Sequence, residues 1–350
     1  MVINDTDASN TKLVAEIIKG LSKKLMTWKI MDILKFSRPA KLTYPLTVHQ
    51  CCANEWVRTD LLEKAYQIKN DPILRMKYVF AFVLSGVHKG PDICRSKAPF
   101  NPILGETYQA KNSDGSVIYI EQTEHHPPTF NFSLIGPEKH FELNGFGTIN
   151  AHLTSLNVIK GGRDGKNILK FKDGSLYTFT NLNTRINGVV MGERTYNYYG
   201  DLIIKDYKNK IECKFTLPDE EEQGMLSKMW YGKLSHQYDE GFVEIRQVNP
   251  QTKQKELKAT GYASWIGQVI FDDKEFWSIF EEPKFWNEKD IPFLLPSDST
   301  KREDLIAILK GDIIKAQAEK EKLEKMQRED QKKRDVKSGK KTVSNAEELE

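Results

Sequence analysis

Between Val117 and about Phe271 the chain is a succession of short runs rich in β-branched and aromatic residues, separated by turn chemistry, with no helical periodicity between them. Residues 117–120, 168–171, 202–204 and 211–217 are such runs, and "KDGS", "GGRDGK", "YKNK" and "NPQTK" read as the turns between them. In the last run Ile211, Cys213, Phe215 and Leu217 alternate with Glu212, Lys214 and Thr216, so one face is apolar and the other polar. So many antiparallel segments without intervening helices predict a large meander, either a sandwich or a barrel. A barrel of this size must enclose something.

Helical patterns flank the strands. In residues 11–36, Leu13, Ile17, Leu21 and Leu25 recur every four positions, with Val14 and Ile18 alongside. The other face carries Lys12, Lys19, Lys23, Lys24, Lys29 and Lys35 against only Glu16 and Asp32. That suits a helix resting on anionic headgroups, and equally an ordinary core-packed helix with a solvated lysine face. "SRPAKLTYPLT" breaks the pattern at Pro39 and Pro45, and residues 54–87 read as two helices, the second starting at Asp71-Pro72. After the strands, 304–311 reads as a short helix ended by glycine and 312–333 as a long charged one. The expected division is an N-terminal amphipathic segment at 1–36, one domain at 37–335 with its barrel over about 100–272 and C-terminal helices at 304–333, and a mobile tail at 336–350.

Composition narrows the function. With 350 residues and 39% apolar content the chain can bury a sizeable core, and a net charge of +3, from 52 basic and 49 acidic residues, lacks the excess of a nucleic-acid binder. Cys51, Cys52, Cys94 and Cys213 form neither a CxxC pair nor a disulfide framework, and the polar start is no signal peptide. The longest strongly apolar stretch, 78–87, is far short of the roughly 20 residues that cross a bilayer. The expected place is the cytoplasm, with transient contact to membrane surfaces.

The most unusual stretch is "EQTEHHPPTF", residues 121–130. A zinc site is disfavoured, because Pro127 and Pro128 forbid the helix of an HExxH motif and no third His or Cys lies nearby in sequence. No G-x-S-x-G elbow or cysteine signature marks a nucleophile, and "GGRDGK" lacks P-loop spacing. From the residues alone, His125 and His126 could simply end a strand that the prolines stop.

"EQTEHHPP" resembles the EQVSHHPP signature of the oxysterol-binding-protein-related family of lipid transfer proteins. "APFNPILGETY", residues 98–108, resembles that family's KP(F/L)NPxLGE segment, and residues 295–328 resemble the approach to its last helix, ending in a K-x3-E-x3-R pattern as Lys320, Glu324 and Arg328. The resemblance runs from about residue 30 to 330, in the family's order. It implies a β-rich α+β fold: a nearly closed antiparallel β-barrel around a hydrophobic tunnel, an N-terminal lid helix over the mouth, and C-terminal helices. It also implies that His125 and His126 hold the phosphate of phosphatidylinositol 4-phosphate, that Lys320 and Arg328 add phosphate contacts, and that Glu324 and Asn101 meet the inositol ring and its phosphate. One departure stands out: the lysine before the proline of the KPxNP segment is Ala98 here, so either Lys97, one place earlier, serves instead or headgroup affinity is weaker.

Elementary chemistry is consistent with these roles. Residues four apart share a helix face, so Glu324 can hold Lys320 and Arg328 toward one target, although a solvated charge ladder would look the same. A phosphate dianion raises the pKa of a nearby histidine, adding donors worth about 1.5 to 3 kcal/mol each. Strand alternation would send His125 and His126 to opposite faces, so a bulge or strand end is expected there. The expected function is a monomeric cytosolic carrier that exchanges the phosphoinositide for sterol or phosphatidylserine between membranes, without cofactor or catalysis and without nucleic acid. A non-transferring lipid sensor is the alternative. With no pleckstrin-type domain or ankyrin repeats, the chain resembles the short members that hold the ligand-binding domain alone.

Overall fold

The computed structural model describes residues 39–94, 97–155, 157–189, 191–219 and 239–337. The expected amphipathic lid over 11–36, and the tail beyond 337, lie outside them.

Helices α1 (Val48–Asn54), α2 (Thr59–Gln67) and α3 (Pro72–Val87) come first. The second and third are the pair read from the sequence, and the Asp71 side chain accepts from Leu74 N with Pro72 in the first turn. The first is not foreseen. It is opened by a capping box, Thr47 Oγ1 accepting from Gln50 N and Gln50 Oε1 from Thr47 N, but its seven residues are too few for an apolar period to show. Helix α3 is buried on every side along Val79, Phe80, Ala81, Phe82, Val83 and Leu84, which makes it a core helix.

Strands β1 (Thr43–Thr47) and β2 (Ala98–Phe100) form a small parallel pair. The rest build one 14-stranded antiparallel sheet: β3 (Thr107–Lys111), β4 (Val117–Glu124), β5 (Thr129–Ile135), β6 (Phe141–Ser155), β7 (Val158–Asp164), β8 (Asn167–Phe171), β9 (Leu176–Phe179), β10 (Asn183–Asn187), β11 (Thr195–Asp206), β12 (Ile211–Leu217), β13 (Glu240–Val248), β14 (Lys255–Ser264), β15 (Gln268–Phe271) and β16 (Lys274–Ser278). Consecutive strands pair along the meander except in the middle. There the long β6 gives its first half to β8 and its second to β7, and β11 is reached through both β9 and β10. The expected alternation in β12 holds, with Ile211, Cys213, Phe215 and Leu217 buried.

One turn assignment is corrected. In "GGRDGK", Gly161 to Asp164 lie inside β7. A Cβ on Gly161 would stand 2.3 Å from the Asn150 carbonyl oxygen, so this glycine serves close approach of β6 and β7.

The sheet curls into a partial ring whose edge strands, β3 and β16, are not neighbours. Residues 279–298 cross from one edge to the other: Asn287 pairs with Lys111, Thr107 N donates to the Ser297 carbonyl, and Trp286 Nε1 donates to the Ala53 carbonyl at 2.7 Å. The helices supply the missing wall. One apolar cluster joins α1, α2 and α3 to the strands: Trp56 stacks on Phe132 at 5.1 Å, and Phe80 meets Phe215 and Phe271 edge-on at 5.7 and 6.0 Å. Each such buried aromatic contributes about 1.5 to 3 kcal/mol. This is the nearly closed antiparallel barrel with flanking helices that the sequence led us to expect, extended at its far end by β16.

The chain ends in α4 (Glu303–Leu309) and α5 (Ile313–Lys337), joined through Gly311 at φ +80. Helix α5 runs past the expected end at 333 and includes the first residues assigned to the tail. It docks through Ala316 against Ala40 and Ala307.

Candidate functional site

Pro127 and Pro128 lack N–H groups and cannot extend a ladder, so β4 and β5 are joined by the four-residue turn His125 to Pro128. The register slips between Gln122 and Glu124, the expected bulge, and the His126–Pro127 peptide is cis. The register slip and the turn set the two imidazoles side by side, centroids 4.3 Å apart at 52°. The turn is pinned to β6, where Ile149 N donates to the Pro128 carbonyl and Thr129 and Thr148 share a hydroxyl bond of 3.0 Å. His126 is exposed and His125 half-buried. The Nδ1 atom of His125 is buried and finds no hydrogen-bond partner among the described residues. Burial, then the charges of His126 and Arg334, push the His125 pKa down to about 4, so at neutral pH it is uncharged, and a nearby anion would shift it back toward protonation.

Helix α5 carries the second group. Lys320 is buried and paired with Glu324, and Glu324 Oε2 lies 4.0 Å from Nη1 of Arg328, which is 67% exposed. Glu324 therefore stands between two cations, as the four-residue spacing predicts. Lys320, Gln327 and Arg334 recur every seven residues and share a stripe. Arg334, missed in the sequence, is the cation whose field reaches His125. It lies about 21 Å along the axis from Lys320, at 1.5 Å per residue.

The third group is the "NPILGE" loop. Asn101 is exposed, and its carbonyl accepts from Arg302 Nη1 at 2.7 Å. Arg302 also bonds Glu106 at 2.9 Å and Asp304 at 2.9 and 2.6 Å, with its own side chain 9% exposed and those of Glu106 and Asp304 2% and 0%. Burial pushes the Glu106 carboxyl up to about 7 against the pull of Arg302. Beneath lies Gln122, whose amide donates to the Glu124 carbonyl at 2.6 Å and whose Oε1 is 3.4 Å from Nε2 of the buried His49. Gly105 N and Gln122 N exchange bonds with the Gln122 and Glu106 carbonyls at 2.8 and 2.9 Å. The three motifs are thus tied together by Arg302, Glu106 and Gln122, none of which carried a role in the sequence reading.

Lys97 sits half-buried at the bend into β2, and among the described residues no ion pair or hydrogen bond joins it to the other six expected residues. Ala98 is buried in β2. A second polar group missed in the sequence sits inside the ring. Arg163 bonds Glu55 at 2.8 Å and Asn181 at 3.1 Å, lies 5.5 Å from the Trp56 ring, and leaves its Nε, like Trp56 Nε1, without a hydrogen-bond partner among the described residues. No cluster of three or more His, Cys, Asp or Glu suited to a metal occurs among the described residues. Nor is any described helix long and apolar enough to cross a membrane.

The family model described as "Oxysterol-binding protein" matches residues 24–346. Oxysterol-binding protein 9 of Dictyostelium discoideum is 30% identical over 285 residues, covering 78% of this chain and 64% of that protein. Human oxysterol-binding protein-related protein 3 is 25% identical over 335 residues, 88% of this chain and 36% of that protein. The chain therefore spans just under two thirds of the first relative and about a third of the second. Among solved structures, the Osh3 ORD of Saccharomyces cerevisiae in complex with PI(4)P superposes with a TM-score of 0.71 at 22% identity, covering 90% of this chain and 84% of that one. The Osh1 ORD domain in complex with ergosterol gives 0.68 at 18% identity, covering 95% and 90%. A ring of this topology carrying all three motifs, matched over most of its length, belongs to the oxysterol-binding protein family.

Proposed function

We propose that this chain is a lipid carrier that binds phosphatidylinositol 4-phosphate at the His125-His126 turn and exchanges it, between membranes, for a second lipid, sterol or phosphatidylserine. The observation that carries the reading is the turn itself: two adjoining imidazoles, one exposed and one with a buried nitrogen lacking a hydrogen-bond partner among the described residues. In this reading Lys320 and Arg328, paired through Glu324 on one face of α5, supply cations to the headgroup, and Asn101, whose carbonyl accepts from Arg302, a polar contact. Lys97 is the weakest member of the set, because Ala98 puts no cation on β2. The Arg163–Glu55 group and Trp56 Nε1 offer a polar partner to the inner end of a cargo.

Binding, with no bond made or broken, is the whole of the activity. Two acyl chains of about 30 methylenes cost on the order of 20 kcal/mol to expose to water, so a carrier needs an apolar interior. The chain acts as a monomer that touches anionic membrane surfaces transiently and works from the cytoplasm.

Extraction of phosphatidylinositol 4-phosphate from liposomes, and transfer of each lipid between two liposome populations, test this. His125→Ala with His126→Ala abolishes phosphoinositide extraction, Arg328→Ala weakens it about tenfold with thermal stability unchanged, and transfer of the second lipid persists in both. Binding without transfer in the wild-type chain would make it a sensor, and equal loss of both lipids in a folded double variant would refute the division of labour.

A further inference from the structure

The start of α5 leaves apolar side chains in water. Ile313 is 50% and Ile314 87% exposed, and with Pro39, Lys41, Gln317 and Glu321 they line a surface groove of about 450 Å³. Its floor is fixed by contacts between the two chain segments that form it. Ala40 N donates to Gln317 Oε1 at 2.7 Å, the Gln317 amide donates to Glu321 at 2.6 Å, and Ala40 packs against Ala316. An apolar groove with so firm a floor calls for an occupant.

Continuity of the chain says which. Pro39, the first described residue, is part of the groove wall, so the 38 residues before it join the described fold at the groove itself. Pro39 is extended (φ −57, ψ 143), and a proline disfavours helix at the residue before it. Three residues of extended chain span about 10 Å, and the groove runs about 12 Å along α5 from 313 to 321, so Phe36 and the residues just before it are within reach of most of it.

The sequence there fits the groove. Ile30, Ile33 and Leu34 recur at i, i+3 and i+4, the spacing of one helical face, and Met31 and Phe36 add to the apolar content. The two charges of residues 30–36, Asp32 and Lys35, cancel, and each finds its opposite at the groove in Lys41 and Glu321. The stretch upstream is different: Lys12, Lys19, Lys23, Lys24 and Lys29 outnumber Glu16, a balance that suits an anionic surface. The neutral, apolar part is the one that suits a protein groove.

We propose that residues 30–36 dock in the groove between Pro39 and the first turns of α5, with Ile30, Ile33 and Leu34 covering Ile313 and Ile314. The contact is intramolecular and does not depend on which lipid the protein carries. It ties the lysine-rich stretch at 12–29 to the helix that bears Lys320, Glu324 and Arg328.

The test is hydrogen exchange of the full chain, read by mass spectrometry on peptides spanning 26–38. Two variants approach the contact from opposite sides: Ile313→Ser with Ile314→Ser in the groove, and Ile33→Ser with Leu34→Ser on the arm. In the wild-type chain the amides of 30–36 should exchange at least tenfold more slowly than an unstructured chain. Either pair of substitutions should erase that protection while peptides from β4 and β5 keep theirs, which shows that the fold is intact. Full-speed exchange of 30–36 in wild type overturns the proposal, as does protection that survives the groove substitutions. Two other results overturn it by naming a different occupant. One is a loss of association with phosphatidylcholine vesicles in the groove variant with exchange of 30–36 unchanged, which assigns the face to a bilayer. The other is a wild-type dimer that the groove substitutions dissolve, which assigns it to a second copy.

Discussion

Replacing Arg302 by Met removes the cation that joins the three motifs while keeping a side chain of similar length. Arg302 donates to Asn101, Glu106 and Asp304, and the two carboxylates it leaves behind are 2% and 0% exposed. Deleting one partner of a buried charge network costs about 3 to 5 kcal/mol, because the remaining charge cannot be solvated. With an unfolding entropy of about 2.1 cal/mol/K per residue over 350 residues, 4 kcal/mol corresponds to about 5 °C in unfolding temperature. The pH dependence adds a second signature. Without Arg302 the Glu106 carboxyl, already pushed up to about 7 by burial, rises further above its unfolded value. The folded state then holds extra protons, and stability falls as pH rises through that interval. Thermal unfolding by circular dichroism, wild type against Arg302→Met at pH 8 and pH 6, should show the larger gap at pH 8. Arg302→Lys, which keeps the charge and loses the fork, should fall between. A gap below about 2 °C at pH 8, or one that widens toward pH 6, would refute the reasoning.

Two further outcomes follow from single positions. A Cβ on Gly86 would stand 1.8 Å from the Glu55 carbonyl oxygen, where α3 crosses the end of α1, so Gly86→Ala should cost about 3 kcal/mol in urea unfolding; a change under 1 kcal/mol would show that the crossing relaxes freely. His49 is buried and its pKa is pushed down to about 4 by that burial, so the unfolded chain takes up its proton first and stability is lost as pH falls from 6.5 toward 4. Relative to wild type, His49→Gln should therefore lose about 2 kcal/mol less between pH 7 and pH 5, and parallel pH profiles would show that His49 is not the group responsible.

What the sequence determined is what local periodicity and local chemistry encode. Alternation in 211–217, the Asp71-Pro72 start and the prolines after His126 each act within a few residues, and β12, α3 and the histidine turn stand where those signals put them. The K-x3-E-x3-R ladder is likewise a consequence of helix pitch. Where the sequence misled, two structures shared one local pattern. "GGRDGK" has turn composition, yet its glycines are needed for close packing of β6 on β7, a fact that lies in Asn150 and not in the stretch itself.

Only the tertiary structure decided how the motifs meet. Arg302 reaches Glu106 across 196 positions and Gln122 reaches His49 across 73, and a buried charge or amide takes its partner from whatever element packs over it. The crossing segment at 279–298 belongs to the same class: Phe280, Phe285 and Phe293 look like core residues in one dimension. They are outside because Glu281, Trp286 and Glu288 spend their hydrogen bonds on Arg58, Ala53, Gln50 and Tyr108, partners that only the closed ring brings within reach.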